Sequence, residues 1–305
     1  MNIKTFKVID LFCGCGGLSL GFQQADFNIV AAFDYWDAAL NIYQKNFNHP
    51  VYKRDLSDLT NLTDLEALSP DIIIGGPPCQ DYSTAGHRDE TKGRAALSIS
   101  YARIVERIRP KYFLMENVAV IEKSETLKVV NRIFKNAGYG LTQLTIDASK
   151  CGVPQIRKRH ITFGILDGKD NDAMAIFTRN LNDKSMTMRE YFGDTLGFEY
   201  YFRVPTSYKR RGIYSIDEPS MTIRGVDRPV PKGYKGHPAD PVPLTSDIRS
   251  LTPQERSWIQ TFPKDFIWEG TKTNLNQAIG NAVPVKLGEY IANCIKEYIN
   301  EHETC

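Results

Sequence analysis

The stretch that decides the fold is Asp71-Ile72-Ile73-Ile74-Gly75-Gly76-Pro77-Pro78-Cys79-Gln80-Asp81-Tyr82-Ser83. An apolar run without alternation reads as a strand covered on both faces, as in a parallel sheet flanked by helices. Two glycines end the run. Two prolines then stiffen the exit, each fixing its own φ. A cysteine follows at once. The segment is either a tight turn holding a core thiol or a rigid ledge that presents a nucleophile.

The segments around it repeat the theme. KVIDLF (7–12), NIVAAFD (28–34), VYKRD (51–55), YFLMENV (112–118), LTQLTID (141–147) and HITFGIL (160–166) read as strands. Between them, GGLSLGFQQA, DAALNIYQKNF, LTDLEAL, SISYARIVERIR and a stretch ending near Gly138 read as helices. This alternation predicts an α/β fold with a doubly wound, mostly parallel sheet. It fails after about Asp167. Residues 171–248 are rich in turns, prolines, tyrosines and basic groups, and predict a second, smaller, irregular domain. Regular pattern returns at Thr252-Pro253-Gln254-Glu255, where an N-cap threonine, a first-turn proline and a glutamate at N3 form a capping box. The last helix, VKLGEYIANCIKEYIN, is amphipathic and is expected to pack back on the sheet. The expected division is 1–170 with 277–305 as one domain, 171–248 as the second, and 249–276 as a hinge and connecting helix.

With 305 residues the chain can bury a large core. No apolar run approaches the roughly 18 residues of a membrane span. The N-terminus has no secretory pattern, so a cytoplasmic location and reduced thiols are expected for Cys13, Cys15, Cys79, Cys151, Cys294 and Cys305. Cys13-x-Cys15 lacks a second ligand pair, and no metal site is expected. Eight basic residues lie between Arg203 and Gly236 against three acidic ones, leaving +5 there; a chain of net charge +2 therefore carries −3 elsewhere. A basic island on a slightly acidic body suggests a polyanionic partner, with a solvated loop as the plainer alternative.

Ligands of open parallel sheets bind beyond the carboxyl ends of the strands. Unusual residues collect there. The first strand leads into Phe12-Cys13-Gly14-Cys15-Gly16-Gly17, the second into Asp34-Tyr35, the third into Asp55, the fourth into Pro77-Pro78-Cys79 and the fifth into Glu116-Asn117. The glycine turn gives a ligand access to bare backbone but fits G-x-G-x-x-G poorly, which argues against a dehydrogenase. Asp34 suits ribose hydroxyls, or a helix cap, and Tyr35 could lie against an adenine. A thiol titrating near 8.5 needs its surroundings to make it a thiolate at neutral pH. Gln155-Ile156-Arg157-Lys158-Arg159-His160 enters another strand, where alternation puts Arg157 and Arg159 on one face.

Taken in order, DLFCGCGG, FDYW, Asp55, GGPPCQDYS, MENV, VPQIRKRH, QTFP and QAIGNAVP resemble the DNA (cytosine-5)-methyltransferases of bacterial restriction–modification systems, over nearly the whole chain. The resemblance implies a Rossmann-like methyltransferase fold, with the 171–248 region as target-recognition domain. It implies S-adenosylmethionine as methyl donor, S-adenosylhomocysteine as product and duplex DNA as substrate. A cognate restriction endonuclease would belong to the same system without direct contact. Cys79 would attack carbon 6 of a flipped-out cytosine and activate carbon 5. Glu116 would bind N3 and the exocyclic amine, Arg159 the O2 atom, and Arg157 would support the base or the catalytic loop. The matching cofactor positions are Phe12, Gly14, Gly17, Asp34, Tyr35, Asp55, Pro78, Leu97 and Asn281. The matching DNA contacts are Gln80, Ser83, Arg94 and Gln155, with Arg210, Arg211, Arg224 and Arg228 as candidates in the recognition region.

Asp81, Tyr82, Tyr35 and Trp258 depart from the residues commonest at those positions in the family. Two other readings keep the fold: a transfer-RNA cytosine-5 methyltransferase, which would carry a smaller recognition region, and a catalytically silent DNA-binding relative, against which the presence of Cys79, Glu116 and Arg159 argues. A zinc deaminase is excluded, since P-C-x-x-C and H-x-E are both lacking.

Overall fold

A computed structural model describes residues 6–78, 95–207 and 209–303. Cys79, Gln80, Ser83 and Arg94 lie outside the described residues, as do Asp81, Tyr82 and Cys305.

Seven strands form the central sheet: β1 (Lys7–Leu11), β2 (Asn28–Asp34), β3 (Val51–Lys53), β4 (Ile72–Gly75), β5 (Tyr112–Val118), β6 (Tyr139–Asp147) and, after a short β7 (Gln155–Ile156), β8 (Lys158–Leu166). Their spatial order is β3-β2-β1-β4-β5-β8-β6. The pairs from β3 through β5 are parallel, whereas β8 runs antiparallel to both β5 and β6. The reversal has a consequence for function. The carboxyl ends of β1 to β5 share one rim, and β8 begins, rather than ends, at that same rim.

The apolar run 72–74 serves both faces. Ile72 and Ile74 pack with Val8, Leu114 and Phe163 on one side, and Ile73 packs with Ile9, Leu11, Phe113 and Met115 on the other. Strand side chains alternate, so a strand buried twice has no polar position to offer. Between the strands come α1 (Gly17–Gln24), α2 (Asp37–Asn46), α3 (Thr63–Ala67), α4 (Ala95–Ile108) and α5 (Glu125–Asn136). Tyr101 and Ile104 of α4, with Val130 and Phe134 of α5, cover the second face. Leu18 and Phe22 of α1 cover the first, together with the C-terminal helix described below.

Past β8 the chain does not leave the sheet at once. The next helix, α6 (Met174–Arg179), sends Ile176 and Phe177 into the first-face core. Then follow α7 (Met188–Phe192), the antiparallel pair β9 (Tyr200–Phe202) and β10 (Ile213–Ser215), and β11 (Ser220–Met221). These build a separate cluster around Met188, Tyr201, Tyr214, Ile216, Ile223 and Ile259. Three helices complete the chain: α8 (Pro253–Ile259), α9 (Lys272–Asn281) and α10 (Val285–Glu303). The capping box at Thr252 is formed, with Glu255 N–H donating to Thr252 Oγ1 and Thr252 N–H to Glu255 Oε2. Trp258, one of the four departures, packs at the edge of the second cluster.

The second cluster is tied to the sheet by buried polar groups. β11 pairs in parallel with β7, setting Ser220 opposite Gln155. The Gln155 amide donates to Gln260 Oε1 at 2.7 Å and accepts from Ile223 N–H at 2.8 Å. The Arg157 guanidinium donates to the carbonyls of Ile223, Gly280 and Ala282 at 2.9–3.0 Å. Among the described residues, no helix is long and apolar enough to cross a membrane.

Helix α10 lies directly on α1. A Cβ on Gly21 would stand 2.5 Å from the Glu289 nitrogen and 2.6 Å from the Val285 oxygen, both main-chain atoms. Helix propensity alone favours alanine there by about 1 kcal/mol. The obstructing backbone has no flexible end to move, so Gly21→Ala is expected to lower stability by about 1–3 kcal/mol through overpacking. Urea unfolding should show a lower midpoint; an equal or higher one would mean that the two helices separate freely.

Candidate active site

Glu116 and Arg159 come from neighbouring antiparallel strands, offset by two residues in register, since Val118 faces Arg159 and Glu116 faces Ile161. Each continues a row of apolar side chains on the first face, Leu114 before Glu116 and Ile161 and Phe163 beside Arg159. At the rim these rows turn polar. Arg159 Nε lies 2.7 Å from Glu116 Oε1, and the side chains are only 11% and 9% exposed. Burial lowers the Arg159 pKa, and Glu116 opposes that shift. The exit of β4 meets the same carboxylate: a Cβ on Gly76 would stand 3.1 Å from Glu116 Oε2.

Asn117 faces the other way and is buried. Its amide donates to the Pro77 carbonyl at 3.1 Å and accepts from Val118 N–H at 2.8 Å. It thereby fixes the first residue of the proline ledge to β5. MENV marks Asn117 in the sequence but assigns it no partner; the partner is 40 residues away. Pro78 is the last described residue before Cys79 and is exposed. Cys13, Cys15, Cys151 and Cys294 are all buried free thiols. Burial pushes each of them up, Cys15 to about 12 and Cys294 to about 11, so none is a nucleophile near neutral pH.

The ends of β1, β2 and β3 form a second group on the rim. Asp34 accepts from Gly14 N–H at 2.8 Å through Oδ2 and from Trp36 N–H at 2.9 Å through Oδ1. Burial raises its pKa and these N–H groups oppose the shift. Gly14 has a φ of 54°, and a Cβ there would meet no atom of the described residues within 4 Å, so the turn is open on that side among them. Phe12 shares the left-handed conformation, with φ 60°, and is half-buried. Tyr35 is 66% exposed with Lys53 Nζ 5.6 Å from its ring centre. Asp55 is exposed and accepts from the backbone and hydroxyl of Ser57. Gly17 is different: it is buried, and its missing Cβ leaves room for the Val283 carbonyl, 2.1 Å from where that atom would be. Leu97 lies half-buried in the first turn of α4, and Asn281 is exposed, accepting from Gln277.

Four expected residues stand in other settings. Gln155, expected at DNA, has no exposed surface and joins β7 to Gln260 and Ile223, so a polymer in solvent does not reach it. Arg157 is likewise buried, with its guanidinium on three carbonyls rather than on the rim. Arg211 pairs with Glu218 and stacks on Tyr214, 4.4 Å from the ring centre. Arg224 is half-buried and donates to the Val204 carbonyl at 3.0 Å. Arg210 and Arg228 are exposed.

Beneath the glycine turn runs a buried polar chain that the sequence did not announce. Ser19 donates to Asp10 Oδ2 at 2.6 Å, Tyr43 donates to Ser19 at 2.7 Å, and the Tyr43 hydroxyl lies 2.7 Å from His49 Nε2. Burial pushes the Asp10 carboxyl up to about 7, and pushes His49 down to about 4. The chain is therefore uncharged at both ends between those values. From about pH 4 to 7 the folded state holds a proton on Asp10 that the unfolded state has lost, so this group's contribution to stability falls as pH rises. Asp10→Asn is expected to remove that fall. The difference in unfolding free energy between variant and wild type should shift toward the variant by up to roughly 4 kcal/mol across this window. His49 acts in the opposite sense from about 4 to 6.5, but equally in both proteins. Parallel pH profiles from chemical denaturation would contradict the assignment.

A family model described as C-5 cytosine-specific DNA methylase matches residues 6–297. The Type II methyltransferase M.HindV of Haemophilus influenzae is 52% identical over 297 residues, covering 97% of this chain and 98% of that protein. The Type II methyltransferase M.HgiDI of Herpetosiphon aurantiacus is 48% identical, covering 97% and 96%. The fold is that of the Entamoeba histolytica methyltransferase EhMeth, at TM-score 0.71 and 20% identity over 99% of this chain and all of that one. It is also that of the S. pombe Dnmt2 methyltransferase, at TM-score 0.68 and 18% identity over 98% and 99%. A mostly parallel sheet whose rim carries a proline ledge, a carboxylate and an arginine, with such relatives over nearly its full length, places the chain among the C-5 cytosine-specific DNA methylases, as a DNA (cytosine-5)-methyltransferase.

Proposed function

We propose that this enzyme moves a methyl group from S-adenosylmethionine to carbon 5 of a cytosine flipped out of a specific duplex sequence, through a covalent adduct with Cys79. The observation that carries the reading is the buried Arg159–Glu116 pair beside the Pro77–Pro78 exit. Buried ion pairs contribute little net stability against apolar packing of the same volume. A pair kept at the polar edge of an apolar row is accounted for by a ligand that uses it.

Cytosine offers such a ligand an acceptor at N3, donors on the exocyclic amine and an acceptor at O2. Carrying a proton, Glu116 would donate to N3 through one oxygen and accept from the amine through the other, and Arg159 would donate to O2. Thiolate attack at carbon 6 drives electron density toward N3 and carbon 5, and groups already aimed there stabilise it without reorganising. The Arg159 contact fixes the Glu116 carboxylate in one orientation before the base arrives. Asn117 does the same for the backbone that leads to Cys79. Loss of the carbon 5 proton and expulsion of the thiolate then restore the aromatic base and free Cys79.

The donor set at the ends of β1, β2 and β3 fits an adenosyl ligand. Each Asp34 oxygen accepts one N–H and retains lone-pair capacity for ribose hydroxyls. Tyr35 offers an open ring face, Asp55 an exposed carboxylate, and Gly14 bare backbone. Phe12, Pro78, Leu97 and Asn281 would complete the pocket. When bound, S-adenosylmethionine supplies an electrophilic methyl group on a sulfonium centre. Flipping the base costs a few kcal/mol, which contacts from Gln80, Ser83 and Arg94 and from the basic 171–248 region would offset. The natural setting of such an enzyme is a restriction–modification system with a cognate endonuclease.

Labelled S-adenosylmethionine should transfer its methyl group to duplex DNA, and Cys79→Ser should abolish the transfer. Glu116→Gln should lower kcat by about 10²–10³-fold, as loss of one oxyanion-type contact does. DNA containing 5-fluorocytosine has no carbon 5 proton to lose and should trap wild-type enzyme, not Cys79→Ser, as a complex stable to denaturing electrophoresis. Full-rate transfer by Cys79→Ser would refute the nucleophile.

A further inference from the structure

Arginines of the second cluster differ in their partners. Arg189 pairs with Glu199 and Asp217, Arg211 with Glu218, and Arg249 with Glu255. Arg203 and Arg224 do not follow this pattern. Both are half-buried, and among the described residues neither has a carboxylate within ion-pair distance. Each holds one carbonyl, and the two bonds cross: Arg203 Nη2 donates at 3.0 Å to the carbonyl of Thr222, two residues before Arg224, and Arg224 Nη2 donates at 3.0 Å to the carbonyl of Val204, next to Arg203. The cross-brace brings two like charges together. Burial lowers the Arg224 pKa, and Arg203 lowers it further.

Arg203 and Arg224 line one narrow recess with Arg256 and Asp227. Arg256 is buried and spent on Asn276 and the Arg224 carbonyl. Asp227 is within ion-pair distance of no described residue; burial raises its pKa, and the charges of Arg256, Lys272 and Arg224 oppose that shift, so one carboxylate faces three arginines. Each guanidinium has five N–H donors, of which one is used among the described residues. Two fixed forks with donors to spare, and repulsion to relieve, make a site for a group that accepts hydrogen bonds. The recess holds about 20 Å³, room for roughly one water-sized group. That excludes a flipped base and suits one or two acceptor atoms.

We infer that Arg203 and Arg224 together receive an acceptor group of the duplex, and that Arg203 is a DNA-recognition residue on a par with Arg224. The inference rests on the DNA substrate given above. Two parts of DNA present this chemistry: the O6/N7 edge of a guanine, and a backbone phosphate.

Binding selection from a randomised duplex library, together with the salt dependence of binding, separates them using full-length wild type, Arg203→Gln, Arg203→Lys, Arg224→Gln and Arg224→Lys. The lysine variants keep the charge and a donor for the carbonyl, so they remain informative if a glutamine variant unfolds. A guanine contact predicts that preference at one base pair falls about tenfold or more in every variant, lysine included, because lysine lacks the bidentate fork. A phosphate contact predicts uniform weakening in the glutamine variants, with the log–log salt slope reduced by about 0.9, and recovery of that slope in the lysine variants. Either pattern supports the site. Folded variants with unchanged preference, affinity and slope overturn it. Since all readouts are binding, wild type that binds duplex DNA but transfers no methyl group would refute the catalytic reading alone, and wild type that does not bind duplex DNA would overturn both.

Discussion

The contact on which the arrangement depends is the buried pairing of Glu116 with Arg159. It joins two strands of opposite direction at the one place where an apolar layer gives way to polar groups. A carboxylate this buried is costly without a partner, and a guanidinium equally so. Each therefore keeps the other in place, and each retains further hydrogen-bonding capacity. The antiparallel insertion of β8 is what makes the pairing available. Had β8 run parallel to β5, its first residues would lie at the opposite edge of the sheet, and Arg159 with them.

Around this pair the backbone is fixed by groups that touch no reacting atom. Asn117 clamps Pro77, whose ring already restricts φ. Gly76 leaves the space that Glu116 Oε2 needs. Arg157 and Gln155 tie β7 to Ile223, Gly280 and Ala282, so that the segment leading into β8 is hydrogen-bonded to the start of the second cluster. A site held by strand ends, prolines and buried amides loses little conformational freedom when a substrate arrives, and preorganisation of this kind is what electrostatic catalysis requires.

Much of this was legible in the residues. Ile72-Ile73-Ile74 reads as a strand buried in the sheet, and the alternation before Asp167 argues for a mostly parallel sheet, so the rim and its collection of glycines, acids and prolines follow from that topology. The capping box at Thr252 was readable because all of its partners lie within four residues. What escaped depends on distant partners. Gln155 sits among charged neighbours in the chain, yet its companions Ile223 and Gln260 are 68 and 105 residues away and close it off from solvent. Helix α6 falls in a stretch without periodicity and still packs on the sheet, because α10 comes back from the far end of the chain to cover it. The Asp10–Ser19–Tyr43–His49 chain links side chains that no local pattern relates.

The arginines show how little residue type settles by itself. Arg157 and Arg159 are two residues apart in a run that reads as a basic edge. One is enclosed by carbonyls and holds two parts of the fold together; the other is enclosed with a carboxylate at the rim of the sheet. Arg203 and Arg224 have half-buried guanidiniums with neither kind of full satisfaction. A cation surrounded by carbonyl dipoles is structural, a cation matched by an anion is oriented, and a cation held in place with donors to spare keeps them for solvent or for another molecule. Partner and burial, which only the folded chain supplies, thus sort one side chain into three roles, and the third is where a partner's identity can be read from what the protein lacks.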